Sequence, residues 1–298
     1  MRQLRAQRIR CVPLGEALHL SAPPNRFSIQ MKANGMQEVS VVLTRPTGQN
    51  DALAARIRAA GGDVELLPLL DIAPPARPVA ADVLRQQLSH ADTIIFISPN
   101  AVRMALRALP VAEWPGRPRL AAIGQGTGRI LREASLSDVL VPAGGADSEA
   151  LLALPEFRHL AGQRVLLVRG EGGREHLAQT LSERGAHVDH AVVYRRVACP
   201  PDMRALRQRA GSKTWMFVIT SSEALRVLVD AAREDADVAW LGAQGFIFAH
   251  PRIAALAQSL GAILGLNHGI MTSSPEDDAV FAALLEYVQP QHPHIPES

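Results

Sequence analysis

An α/β protein with two parallel sheets laid out on one duplicated plan is the fold class that this 298-residue chain predicts. Three observations carry the expectation. A stretch near the start recurs later without a gap, further stretches recur in the same order, and short apolar runs alternate throughout with helical apolar spacing. Strands that are apolar at nearly every position, alternating with amphipathic helices, imply parallel sheets covered on both faces.

The first repeat pairs "VVLTRPTGQNDALAARIRAAGGDV" (41–64) with "VLLVRGEGGREHLAQTLSERGAHV" (165–188). Arg45 falls on Arg169, Leu53 on Leu177, Ile57 on Leu181, Gly61 on Gly185 and Val64 on Val188. Each copy reads as strand, glycine-bearing turn, helix, glycine and a fresh strand, the opening of a β-α-β unit. Next come "IIFISPNAVRMAL" (94–106) with "FVITSSEALRVLV" (217–229), then "AAIGQGTGRIL" (121–131) with "FIFAHPRIAALA" (246–257). A weaker fourth pair is "ADSEALLALP" (146–155) with "PEDDAVFAALL" (275–285). Chance could explain any single pair, but four pairs in the same order make duplication much the better explanation.

"PLLDIAPPARP" (68–78) and "AVVYRRVACPP" (191–201) each follow a first unit and end in prolines, which disfavour helix at the residue before them. Both read as extended connectors between domains. Run side by side, they would enclose one continuous domain over about 77–194 and leave 39–70 to complete a second with 200–290. Two sequential halves fit the sequence equally well.

Composition narrows the partners. Residues 1–37 hold six basic side chains and one acid, net +5, which leaves −3 for the remainder of a chain whose total is +2. The basic character therefore sits in the tail, and no nucleic-acid partner is expected for the body. That tail is expected to be a disordered extension, or an over-long start with Met31 or Met36 as the true beginning. It lacks the apolar core of a secretory signal, and no later apolar run could span a bilayer. Cys11 and Cys199 form neither a disulfide framework nor a metal knuckle, so a cytoplasmic location and no metal are expected. The histidines show no paired ligand spacing.

The turns after the predicted strands carry the chemistry. In an open parallel sheet, ligands bind beyond the carboxyl ends of strands, where helix N-terminal amides are exposed. "TRPTGQ" (44–49) and "RGEGGRE" (169–175) offer such positions, yet neither is a phosphate-binding P-loop, because no lysine and hydroxyl residue close the glycine run. "GQGTGR" (124–129) is not a dinucleotide fingerprint either. Carboxylate capture is the preferred role, with Thr44, Arg45, Gly124, Gln125, Thr127, Arg169 and Gly170 as candidates. The plain alternative is that these glycines only make tight turns. Ser98-Pro99-Asn100 and Ser221-Ser222-Glu223 start helices, where hydroxyls cap amides and can also face a ligand. Neither serine sits in a nucleophile elbow.

Together "VLTRP", "FISPNAV", "AIGQGTGRIL", "VLLVRGEGGRE", "VVYRR", "FVITSSEAL" and "AHPRIAALA" resemble bacterial uroporphyrinogen-III synthase over roughly residues 39–287. The resemblance implies two flavodoxin-like domains joined by a two-stranded connector, with the active site in the cleft between them. It also implies cyclisation of hydroxymethylbilane with loss of water and inversion of the last ring, without a cofactor. A cytoplasmic monomer that receives its substrate from hydroxymethylbilane synthase, away from membranes, is the corresponding expectation. Tyr194 in "VVYRR" matches a position where the family often has tyrosine, and a phenol there is a candidate general acid. Arg195 and Arg196 could neutralise propionates. His250-Pro251-Arg252 matches the family's late turn, where some members have threonines in place of Arg252 and Ile253. The contrasting expectation is a non-catalytic two-domain binder of small anions.

Overall fold

The computed structural model describes residues 36–116, 118–144, 147–172, 175–213, 215–264, 269–272 and 274–288, so all but the end of the expected N-terminal extension lies outside the described residues. The first unit is β1 (Ser40–Leu43), helix α1 (Asp51–Ala59) and β2 (Asp63–Leu66), and the chain leaves it through β3 (Leu70–Ala73). Next come α2 (Ala81–His90), β4 (Thr93–Phe96), α3 (Pro99–Ala108), β5 (Arg119–Ala122), α4 (Gln125–Glu133), β6 (Val139–Leu140) and α5 (Ser148–Leu152). The copy of the first unit follows as β7 (Arg164–Gly170), α6 (His176–Glu183) and the long β8 (His187–Ala198). Helix α7 (Met203–Ala210), β9 (Trp215–Ile219), α8 (Ser222–Ala231), α9 (Asp235–Gly242) and β10 (Gly245–Phe248) come next. Helix α10 (Pro251–Leu264), β11 (Gly269–Met271) and α11 (Asp277–Val288) complete the described chain.

These strands form two sheets. The first is ordered β2-β1-β9-β10-β11 and is parallel throughout. The second is ordered β8-β7-β4-β5-β6, also parallel, with β3 added antiparallel at its β8 edge. Each sheet, with its helices, is here called a lobe. The repeated stretches occupy equivalent places: β1 and β7 stand second, β9 and β4 third, β10 and β5 fourth. In lobe 1 the copy containing β1 is threaded first, and in lobe 2 its counterpart β7 is threaded near the end. Leu70–Ala73 pairs with Ala198–Arg195 to make the two-stranded connector between the lobes.

Burial explains why the strands read as continuous apolar runs. On β1, Val42 packs with Phe217, Phe246 and Phe248 under α7, α8 and α10, whereas Val41 and Leu43 pack with Leu53, Ile57 and Leu284 under α1 and α11. Lobe 2 repeats this. Ile94, Phe96 and Val168 face α2, α3 and α4, while Ile95, Val165 and Leu167 face α5 and α6. Alternate residues point to opposite faces, and both faces are covered, so nearly every position of these central strands is apolar.

The glycines matched between the copies end equivalent helices. Gly61 has φ of 85° and Gly185 has φ of 93°, the left-handed region in which a side chain is strained. Gly61 N donates to Arg58 O and Gly62 N to Ile57 O, and Gly185 N donates to Ser182 O and Ala186 N to Leu181 O. Both ends are Schellman motifs, which satisfy the last helix carbonyls and turn the chain into β2 and β8.

Candidate active site at the facing edges of the two lobes

Every turn singled out by sequence leaves the carboxyl end of a strand. Thr44 and Arg45 follow β1, Ser98 follows β4, Gly124 lies just beyond β5, Gly170 ends β7, and Ser221 and His250 lie just beyond β9 and β10. The strand order reverses direction between β1 and β9 in lobe 1 and between β7 and β4 in lobe 2, and such points open a crevice for ligands. The two crevice edges face each other. Gln49 Nε2, ahead of α1, donates to Asn100 Oδ1, in the first turn of α3, at 2.9 Å. A Cβ built on Gly126, at the start of α4, would stand 3.1 Å from the carboxylate of Glu276, which precedes α11. Neither Gln49 nor Glu276 was a candidate from sequence. Only the "TRPTGQ" turn and the weak fourth repeat hinted that these segments matter.

Tyr194 lies at the lobe 2 switch point. Along β7 and β8 the register runs regularly to Arg169 opposite Val192, then slips so that Gly170 faces Tyr194. A bulge of this kind re-aims the side chain that follows it. The ring lies on the glycine so closely that a Cβ on Gly170 would come 2.6 Å from Tyr194 Cζ. Tyr194 is 3% exposed, and its hydroxyl is 3.1 Å from Ser98 Oγ. Ser98 is also the N-cap of α3, accepting from Ala101 N at 3.0 Å, with Pro99 at the first helical position.

The equivalent turn in lobe 1 is plainer. Ser221 caps α8 by accepting from Ala224 N at 3.0 Å, and the buried hydroxyl of Ser222 has no partner among the described residues. Glu223 pairs with Arg196 of the connector at 2.6 Å, tying lobe 1 to β8. Arg195 donates to Pro74 O. His250 Nδ1 accepts from Arg252 N at 3.0 Å, capping α10 beside Pro251, and leaves the Arg252 side chain exposed.

Some candidates are drawn inward. Thr44 is buried, and its hydroxyl donates to Val218 O at 2.6 Å, stitching β1 to β9. Arg45 donates to Asp277, to Pro275 O and to Gln49 O. Arg169 is 6% exposed and donates to Gly172 O at 2.6 Å and to Glu175 at 3.0 Å. Arg169 thus braces its own turn, whereas Arg45 ties its turn to the segment ahead of α11. Thr127 is buried in the first turn of α4, and Gln125 donates to Pro142 O at 3.0 Å. A separate concavity of about 1140 Å³ at the amino ends of β4 and β5, lined by Asp92, Arg119 and Gln163, holds none of the candidate residues.

Among the described residues no group of three or more histidine, cysteine or carboxylate side chains could hold a metal, and no helix is long and apolar enough to cross a membrane.

With this geometry in place, comparison with known proteins is decisive. A family model described as uroporphyrinogen-III synthase HemD matches residues 51–280. The chain belongs to the uroporphyrinogen-III synthase family. A uroporphyrinogen-III synthase of Salmonella typhimurium is 36% identical over 228 residues, covering 75% of this chain and 92% of its own length. One from Escherichia coli is 35% identical over 228 residues, with the same coverage of both chains. The fold agrees with the family. The crystal structure of a mutant uroporphyrinogen III synthase from Thermus thermophilus superimposes with a TM-score of 0.55 at 17% identity, over 84% of this chain and 99% of that one.

Proposed function

We propose that the chain cyclises hydroxymethylbilane to uroporphyrinogen III, with Tyr194 as the proton donor at the facing edges of the lobes. The substrate is an open chain of four pyrroles, each bearing an acetate and a propionate. The observation that supports this role for Tyr194 is the placement of its hydroxyl beside the capped end of α3 at the lobe 2 switch point.

The chemistry asks little of the protein beyond one proton and a shape. The phenol gives its proton to the terminal hydroxyl, the carbon–oxygen bond breaks, and water leaves. A phenolate and a resonance-stabilised azafulvenium cation remain, and the substrate's own carboxylates stabilise the cation. The substituted carbon of the last ring is attacked before its free carbon, giving the spiro intermediate from which the ring inverts. The proton released as the macrocycle closes restores the phenol, so the net change is loss of one water. Regiochemistry rests on orientation, where small misplacements cost large factors in rate.

Ser98, Pro99, Asn100, Ser221, His250, Pro251 and Arg252 form the substrate-facing set in this reading, together with the Gly124–Gln125 turn, and Ser222 stands behind it with its hydroxyl buried. Thr44, Arg45, Thr127, Arg169 and Glu223 support it from behind. Lobe 1 comprises 39–70 with 200–290 and lobe 2 comprises 77–194, acting as a cytoplasmic monomer that accepts substrate from hydroxymethylbilane synthase. Incubation with enzymatically made hydroxymethylbilane, then oxidation and isomer separation, tests the reaction. The type III isomer is expected; spontaneous type I alone refutes catalysis and leaves an anion binder. Tyr194→Phe is expected to slow type III formation about 100-fold or more, the lower end of the scale for a lost general acid.

A further inference from the structure

The two lobes share a plan, yet the serine–tyrosine contact belongs to one of them. Lobe 1 has Ser221 at the place of Ser98, but β3 reads Leu70-Asp71-Ile72-Ala73 and supplies no tyrosine, and Pro46 stands where the repeat places Gly170. In lobe 2 three independent features converge on Tyr194: the register slip, the bare glycine under its ring and the hydroxyl contact.

Building on the role assigned to Tyr194 above, we propose that Ser98 and Gly170 are positioning residues that aim the phenol proton at the departing hydroxyl. Ser98 Oγ already accepts the amide hydrogen of Ala101 at 3.0 Å, so its own proton is free to go to the phenol oxygen 3.1 Å away. With that oxygen accepting from Ser98, the phenol hydrogen points away from α3 rather than back into it. A hydroxyl has one donor and two acceptor sites, and this arrangement uses all of those on Ser98 except one lone pair. Gly170 fixes the other coordinate. Its Cα hydrogens leave the only thickness into which the ring fits, since any Cβ would lie 2.6–2.9 Å from three ring carbons. Ring and hydroxyl are therefore held from below and from the side, and the slip at Arg169/Gly170 brings Tyr194, in place of Val193, over that floor.

The test is a pair of double-mutant cycles read by steady-state kinetics and isomer ratio, with thermal unfolding measured alongside. Ser98→Ala is expected to lower kcat about tenfold with KM changed less than about twofold, as for an interaction made at the proton-transfer step. It also removes the helix cap, so Ser98→Thr, which keeps both cap and donor, is expected to restore kcat to within about threefold. In a Tyr194→Phe background Ser98→Ala is expected to cost nothing further in kcat, although it still lowers the unfolding temperature. Gly170→Ala is expected to slow turnover about tenfold in the parent and to have no effect on kcat once Tyr194→Ala has removed the ring. Losses that multiply in either double variant, or full kcat in Ser98→Ala, overturn the positioning roles. Full kcat in Tyr194→Phe itself instead overturns the proton-donor reading on which they rest, so the two failures are separable.

Discussion

Arg45 and Arg169 occupy matching places in the duplicated unit, and each commits its guanidinium to protein partners, Arg169 within its own turn and Arg45 mainly in the segment ahead of α11. Arg169 reaches a carboxylate and a main-chain carbonyl; Arg45 does the same with Asp277 and Pro275. Charge-assisted bonds to a nearly buried guanidinium stabilise more than exposed ion pairs do. Arg169→Ala is therefore expected to lower unfolding free energy by about 1.5–3 kcal/mol, while KM for the tetrapyrrole moves little. Arg252 is the contrast, since its side chain is exposed at the edge of lobe 1. Arg252→Ala is expected to raise KM severalfold and leave the unfolding midpoint unchanged. Denaturant titration and steady-state kinetics on the two variants separate these roles; a large KM effect from Arg169 with unaltered stability would reverse the assignment. Sequence matched the two arginines correctly as a pair but could not tell a brace from a ligand, because both uses require the same residue after the same strand.

At the scale of single elements, the helix ends were the most readable features. A glycine after the apolar periodicity predicts a left-handed C-terminal residue, and Gly61 and Gly185 supply it with the paired amide bonds of a Schellman motif. Gly185 is the tighter site, because an added Cβ would meet Ala161 Cα at 3.0 Å. Gly185→Ala is expected to cost about 1–2 kcal/mol from the left-handed backbone alone, with the Ala161 contact adding to it. The measurement is the shift in denaturation midpoint, and a neutral or stabilising result would show that this helix end can re-form without the positive φ. Serine caps were equally visible in sequence, and Ser98 and Ser221 both cap their helices. What a cap does beyond that depends on its neighbours. The single-residue slip at Arg169/Gly170 decides that Ser98 meets a phenol, and a slip of one residue leaves no mark on hydrophobic spacing.

Across the whole molecule the lobes meet through few described contacts between their turns, the Gln49–Asn100 bond and the approach of Glu276 to Gly126 among them, while the connector pairs Arg196 with Glu223. A tetrapyrrole lying between the edges would have to displace the first two. In a protein with Cys11 and Cys199 changed to serine, cysteines placed at positions 49 and 100 and bridged by a short bismaleimide are expected to stop turnover. Turnover of each single-cysteine protein, capped with the same chemistry, sets the baseline below which the bridged protein is expected to fall at least about tenfold further. Undiminished type III formation by the bridged protein would show that substrate does not enter between these turns. The bridge is expected to block any separation of these turns that admits the substrate, together with the closure that would then exclude water.

Sequence by itself determined that two copies of one plan are present, which of their apolar residues are buried, and where several of their helices begin and stop. Those properties are written in local spacing: alternation along a strand, the helical period, a capping hydroxyl, a glycine at a helix end. Only the tertiary structure decided where the repeated strands stand in each sheet, that Tyr194 rests on Gly170 against Ser98, and that Gln49 reaches Asn100. These depend on how two twisted sheets are rotated about a connector and on one extra residue in a ladder. Neither quantity changes the apolar pattern, because the same side chains stay inside whichever way the edges turn.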